Sequence, residues 1–280
     1  MSMNCSIDYL SLTAPHSRGL SAPKQLLDGF RDDQGRFGYA HCRHYSSGVL
    51  ELWDEDRPER HVIYSGKTLA KLAQIMPASY LCQWHYDVGH RCSRIDTAVD
   101  VFDSGVVVTE FATEWATGNV KTRSKSGLLI SDPMGRAGDT FYVGSLKRRR
   151  KLLRIYDKAK EQRIDRDWLR FEMQYGQGAA RSMARLVSDS HNLSSTVIGA
   201  MKQYVKFKHP LYQDIVANES SIRVRHDMSS GVDKTLEWLW QSVLPVLVRI
   251  ELQNPGHTAI FHDTVMERAG RKASRKISRK

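Results

Sequence analysis

The chain has 280 residues, 41% hydrophobic and 26% charged, enough apolar material to build a folded core and exclude a disordered chain. Its 42 Lys and Arg against 31 Asp and Glu leave a net charge of +11, which favours polyanionic partners, nucleic acid first and an anionic membrane surface second. No apolar run approaches the ~20 residues of a membrane span, and MSMNCSIDYLSLTAPHS lacks the cationic-then-apolar order of a secretory signal.

The four cysteines (Cys5, Cys42, Cys82, Cys92) share no CxxC spacing, so free thiols in a reducing, cytoplasmic compartment are expected. CSIDYLSLTA alternates as a first strand that Pro15 ends, and APKQLLDGFRDD reads as a helix. The stretch GRFGYAHCRHYSSGVLELWDED reads as a hairpin region. SGKTLAKLAQIMP carries a serine cap, apolar residues at helical spacing and Pro77 as a stop. CSRIDTAVDVFDSG is a strand ending in a turn, while VVVTEFATEWATG matches neither period cleanly.

In GDTFYVGSLKRRRKLLRIYDK, two β-prone runs flank a Gly-Ser turn and five consecutive cations, Lys147 to Lys151, which signals a hairpin. DWLRFEMQYG alternates again, and QGAARSMARLVSD and LSSTVIGAMKQYV read as helices. VDKTLEWLWQSVLPVLVRI reads as a long amphipathic helix bent at Pro245. The terminal MERAGRKASRKISRK carries seven Lys/Arg against one Glu and reads as a disordered basic tail. Strands clustered with helices, without regular βαβ alternation, predict an α+β fold: an antiparallel sheet with helices covering one face. The expected organisation is a core over 1–215, a helical segment packed on it over 216–255, and the tail over 256–280.

Side chains alternate between the faces of a strand, so three runs divide by parity. One face carries Arg94, Asp96, Ala98 and Asp100; another Arg154, Tyr156 and Lys158; a third Arg170, Glu172 and Gln174. The opposite faces are apolar, apart from Thr97. On a solvated face Asp96, Asp100 and Glu172 simply pair with Arg94, Arg154 and Arg170. Asp is depleted in strands, however, and two occur here within five residues. If the strands are neighbours, their carboxylates form an oxygen-rich pocket for Mg2+ or Mn2+ beside Tyr156 and its cations. That set suits attack on a phosphodiester, in which an activated phenol is the nucleophile and Arg or Lys neutralises developing charge.

YVGSLKRRRKLLRIYDKAKEQ, SRIDTAVD and LRFEMQ together resemble the replication initiation factor family of rolling-circle plasmids and filamentous phages. IDYLSLT and TLEWLWQSVLPVL resemble its outer segments, so the likeness spans most of residues 6–250. It implies a metal-dependent endonuclease that nicks one strand of a replication origin, with the active site on the polar sheet face. The tyrosine becomes joined to the 5′ phosphate and a 3′ hydroxyl primes synthesis. Carried over, Tyr156 is the nucleophile, flanked by Arg154 and Lys158. Asp96 and Glu172 are the first metal-ligand candidates, with Asp100 next, and the cation is Mg2+ or Mn2+. Lys147, Arg148, Arg149, Arg150, Lys151 and Arg170 are expected on DNA, duplex or single-stranded, and a host helicase is the implied partner.

The His-hydrophobe-His metal motif of many rolling-circle nickases is missing, since neither HCRH nor HYDVGH has that spacing. His85 or His90 is a candidate to join the site, with a surface or packed histidine the favoured reading, and Tyr142 is a rival nucleophile read as structural. A non-catalytic DNA-binding protein (a repressor or degenerate initiator) and a metal nuclease using water are the alternatives.

Overall fold

Fourteen consecutive residues, Ser2–Pro15, form the first strand, β1, at the middle of a ten-stranded sheet. The computed structural model describes residues 1–15, 20–132, 138–147, 150–225 and 239–256. After β1 come β2 (Phe30–Gln34), β3 (His41–Tyr45), β4 (Leu50–Trp53) and β5 (Glu59–Ser65). Helices α1 (Gly66–Leu72) and α2 (Ala78–Asp87) precede the long strand β6 (Arg91–Phe102). Then follow α3 (Val108–Ala116), β7 (Lys121–Thr122), β8 (Gly127–Ile130), β9 (Thr140–Gly144), β10 (Lys151–Asp157), α4 (Lys158–Gln162) and β11 (Trp168–Gly176). The helices α5 (Gly178–Ser188) and α6 (Leu193–Tyr204), strand β12 (Val205–Lys206) and helix α7 (Pro210–Val216) follow. The sheet runs β2-β3-β4-β5-β1-β6-β11-β10-β9-β8 with antiparallel pairing throughout, and β7 pairs with β12 apart from it.

The predicted parity positions the core. Ile95, Val99, Val101, Leu153, Ile155, Phe171, Met173 and Tyr175 join one apolar cluster with Met183 and Val187 of α5 and Ile198 and Met201 of α6. From α3, the Phe111 ring meets Phe171 edge-on at 5.2 Å. The α+β architecture is therefore as expected, with α3, α5 and α6 against the apolar face. The β9–β10 hairpin forms as its sequence implies, and Ser65 caps α1 by accepting from Thr68 N.

One expectation is corrected and another is only partly covered by the described residues. Residues 22–33 form no α-helix: one 3-10 turn, Lys24–Leu26, is followed by strand β2. Gly29 takes a left-handed φ of 56°, and the Ser47 hydroxyl and Ser46 N–H bind the carbonyls of Leu26 and Gly29, so the adjacent hairpin holds this segment. Pro245 stands at the start of an α-helix, and the long helix expected ahead of it lies largely outside the described residues. Pro245 lies in the first turn of α8 (Leu244–Gln253), where its missing N–H removes no intrahelical bond. Residues Leu239–Val243 ahead of it are π-helical, and 228–238 lie outside the described residues.

By its internal contacts the chain divides into Met1–Asp227 and Met228–Lys280. Within the first unit, Ile222 N donates to Gly199 O and Lys151 Nζ to Val224 O. The basic tail falls outside the described residues from 257 onward. Among the described residues no helix is long and apolar enough to cross a membrane.

Candidate active site

Register places the polar positions of five adjacent strands on one face. Directly opposed pairs are Tyr142 with Arg154, Arg154 with Glu172, Tyr156 with Arg170, Arg170 with Asp100, and Gln174 with Asp96. Asn4 of β1 faces Asp100, and Tyr9 faces Asp96. Between them the register shifts, so Asp8 is the extra residue of a β-bulge. Bulges re-aim side chains, and here the Asp8 carboxylate accepts from Arg170 Nη1 at 2.6 Å. Parity reading missed Asp8 because a bulge leaves no mark in an alternating sequence.

The three acids do pair with the three arginines, in the combinations that the register sets. Arg94 binds Asp96 through Nε and Nη2 at 2.5–3.1 Å, and Arg154 Nη2 reaches both oxygens of Glu172 at 3.0 and 2.9 Å. Arg170 grips Asp100 through Nε at 2.6 Å and Nη2 at 2.8 Å, while Trp168 Nε1 also donates to Asp100 Oδ1. The face is not the wet surface that sheet physics alone implies: Asp96, Asp100, Arg170, Glu172 and Tyr156 are all buried. The guanidiniums roof their neighbours, with Arg154 Cζ 4.2 Å from the Tyr156 ring centre and Arg94 Cζ 4.5 Å from that of Tyr9.

Tyr156 is at the centre of this arrangement. Its hydroxyl donates to Glu172 Oε2 at 2.9 Å, and Lys158 Nζ lies 5.5 Å from the ring centre. Lys158 is in turn paired with Glu161, in the first turn of α4, which Asp157 caps by accepting from Lys160 N. Burial, then the Glu172 charge, hold the phenol well above its ordinary range, against the pull of Arg154 and Arg170. Burial raises the Asp96 carboxyl to about 6, with Arg94 opposing and the charges of Glu172 and Asp8 adding. Arg154 Nε is buried with no hydrogen-bond partner, so it has one donor left for an incoming oxyanion.

Among the described residues no group of three or more His, Cys, Asp or Glu converges to hold a metal ion. A closed protein cage is therefore not part of this site. Asp96 and Glu172, on adjacent strands of one face, remain a two-carboxylate donor set. Mg2+ is commonly held by one or two carboxylates with water and phosphate completing its shell, and here it would have to displace the Arg94 and Arg154 contacts to reach them. All three carboxylates are engaged at both oxygens, Asp96 by Arg94, Glu172 by Arg154 and Tyr156, and Asp100 by Arg170 and Trp168.

The predicted DNA-binding residues separate. Lys147 and Arg150 are exposed on the β9–β10 connection, and Arg148 and Arg149 lie outside the described residues. Lys151 sends its ammonium to Val224 O. Arg170 lies among the carboxylates, beside a cavity of about 650 Å3 that Asp8, Asp100 and Trp168 also line. Tyr142 is one strand from Tyr156 on the same face. His85 and His90 are packed inside the fold, bonded to each other at 2.8 Å, with His85 bonded to the Tyr64 hydroxyl at 2.9 Å.

A family model described as replication initiation factor matches residues 90–258, which include β6, β10 and β11. The fold is similar to that of a rolling circle replication initiator protein from Geobacillus stearothermophilus, at 19% identity and a TM-score of 0.67. That likeness covers 81% of this chain and 100% of the other. No curated protein matches the sequence. With more than half of its length matched by the model, the chain belongs to the replication initiation factor family.

Proposed function

We propose that this replication initiation factor starts rolling-circle replication by nicking one DNA strand at an origin, with Tyr156 as nucleophile. The observation that carries the reading is the Tyr156–Glu172 hydrogen bond beneath Arg154, whose buried Nε lacks a partner. The phenol is held protonated, so its proton must leave as it attacks, and Glu172 Oε2 is placed to accept it. Tyr156 Oη forms a bond to the scissile phosphorus while the bond from phosphorus to the 3′ oxygen breaks. The 3′ oxygen leaves with a proton from water as a free hydroxyl, and the 5′ phosphate stays on the tyrosine. Arg154 and Lys158, on either side of the phenol, offset charge gathering on the phosphate oxygens. Asp96 and Glu172 would hold a divalent cation, which would supply further charge neutralisation at the phosphate.

The test is an adduct assay on supercoiled origin DNA with Mg2+ or Mn2+. Wild type yields a nicked circle carrying covalent protein; Tyr156→Phe binds DNA but gives no adduct. An adduct that persists in the Phe variant refutes the assignment, and Tyr142→Phe then tests the neighbouring phenol.

A second reading, a non-catalytic DNA-binding protein, draws on the pairing of every carboxylate with an arginine, which stabilises a sheet with or without chemistry. It predicts the same DNA affinity in chelator as in Mg2+ and no adduct under either condition.

A further inference from the structure

Two connected cavities on the helix-covered side of the sheet lie away from Tyr156. One of about 450 Å3 is lined by Arg123, Lys151, Tyr175, Tyr204, Arg223 and Arg225, among others. It shares Arg223 and Arg225 with a second of about 760 Å3, which continues to Arg181 and Arg185 on α5. Among the described residues no Asp or Glu lines either one. Tyr175 belongs to the apolar face with Phe171 and Met173, opposite Glu172, so this groove and the Tyr156 hydroxyl lie on different sides of the sheet.

Cations gathered without carboxylates repel one another. Burial, then the charges of Arg223 and Arg123, depress the Lys151 ammonium below its ordinary range. Arg123, Arg223 and Arg225 are exposed, and none forms an ion pair among the described residues. The fold thus keeps a cost that a bound polyanion removes. At the far rim Tyr86 is 54% exposed with Arg185 Cζ 4.3 Å from its ring centre, an aromatic surface of the kind that can stack a base. Arg185 also pairs with Asp189, which leaves Arg123, Lys151, Arg223 and Arg225 as the principal phosphate donors.

We infer that this groove binds the phosphodiester backbone of single-stranded DNA, at a site separate from the nicking centre. A positive cleft tracking the backbone, with aromatic side chains along it, is the arrangement by which single strands are held without sequence preference. A cleft suits a single strand better than a duplex, whose width favours a broad open surface. The inference rests on the proposal that the protein acts on DNA, and it assigns where a strand is held apart from the reacting phosphate.

Fluorescence anisotropy with a labelled oligo-dT and full-length Arg123→Ala/Arg223→Ala protein tests this. Both arginines are exposed, so a melting temperature equal to wild type is expected. The slope of log affinity against log salt falls by about 1.4, from about 0.7 for each of the two lost phosphate contacts. A fourfold rise in salt then weakens the variant about sevenfold less than wild type. Tyr156→Phe keeps the wild-type slope, so failure of the nicking assignment and failure of the groove are read separately. A double variant with an unchanged single-strand slope overturns the inference. So does a slope change confined to duplex DNA, which assigns the groove to a duplex instead.

Discussion

Glu172 makes two contacts at once: its carboxylate holds the Arg154 guanidinium and accepts the Tyr156 proton. Glu172→Gln keeps the size and one acceptor oxygen but removes the basic charge. Adduct formation should fall by about 10^2–10^4, the usual contribution of a positioned proton acceptor, while DNA binding persists. A Gln variant forming adduct at the wild-type rate, measured under single-turnover conditions, contradicts the role. The three acid–arginine pairs were legible because period-two parity put their members on one face, and register then brought them together. Asp8 was not legible, since its place beside Arg170 depends on a bulge against β6. Nor was the burial of the face, which arises from guanidiniums lying over Tyr9, Tyr156 and Trp168.

Among the elements, β6, β10 and β11 declared themselves through alternation, and α5 and α6 through helical spacing. The stretch that matched neither period is α3, whose Phe111 is buried against Phe171, Phe207 and His209 while Glu110 caps its first turn from within. Helix α2 holds a buried chain of polar groups. His85 bonds His90 and Tyr64, with the Trp84 ring edge-on and the Cys82 thiol near Tyr64. Burial, then the neighbouring His90, hold His85 well below its ordinary value, so it stays neutral in the fold. Below about pH 6.5 the unfolded chain binds a proton that the folded one refuses, and stability falls as pH drops. Denaturant melts between pH 7 and 5 should show His85 contributing up to about 1.4 kcal/mol per pH unit. That part of the slope should vanish in His85→Gln; identical slopes in the two proteins contradict the neutral assignment.

For the whole molecule, the +11 charge indicated a polyanion but not where one binds. The cations near the β9–β10 connection are dispersed: Lys147 and Arg150 are exposed, whereas Lys151 reaches Val224 and joins Arg123 and Arg223. Convergence of residues 123, 151 and 223 is a property of the folded chain that no local stretch encodes. The terminal RKASRKISRK lies outside the described residues, and its expected effect is electrostatic. Deleting 266–280 removes seven cations and should flatten the salt dependence of DNA binding, without altering the site of covalent attachment. An unchanged salt slope removes the tail from DNA binding.

The central claim is that an acid-paired phenol on the sheet face becomes linked to DNA. Mass spectrometry of the peptide cross-linked to cleaved origin DNA tests it most directly. The account predicts a 5′-phosphotyrosine at Tyr156, lost in Tyr156→Phe. Attachment at any other residue, or cleavage with no covalent product, contradicts it.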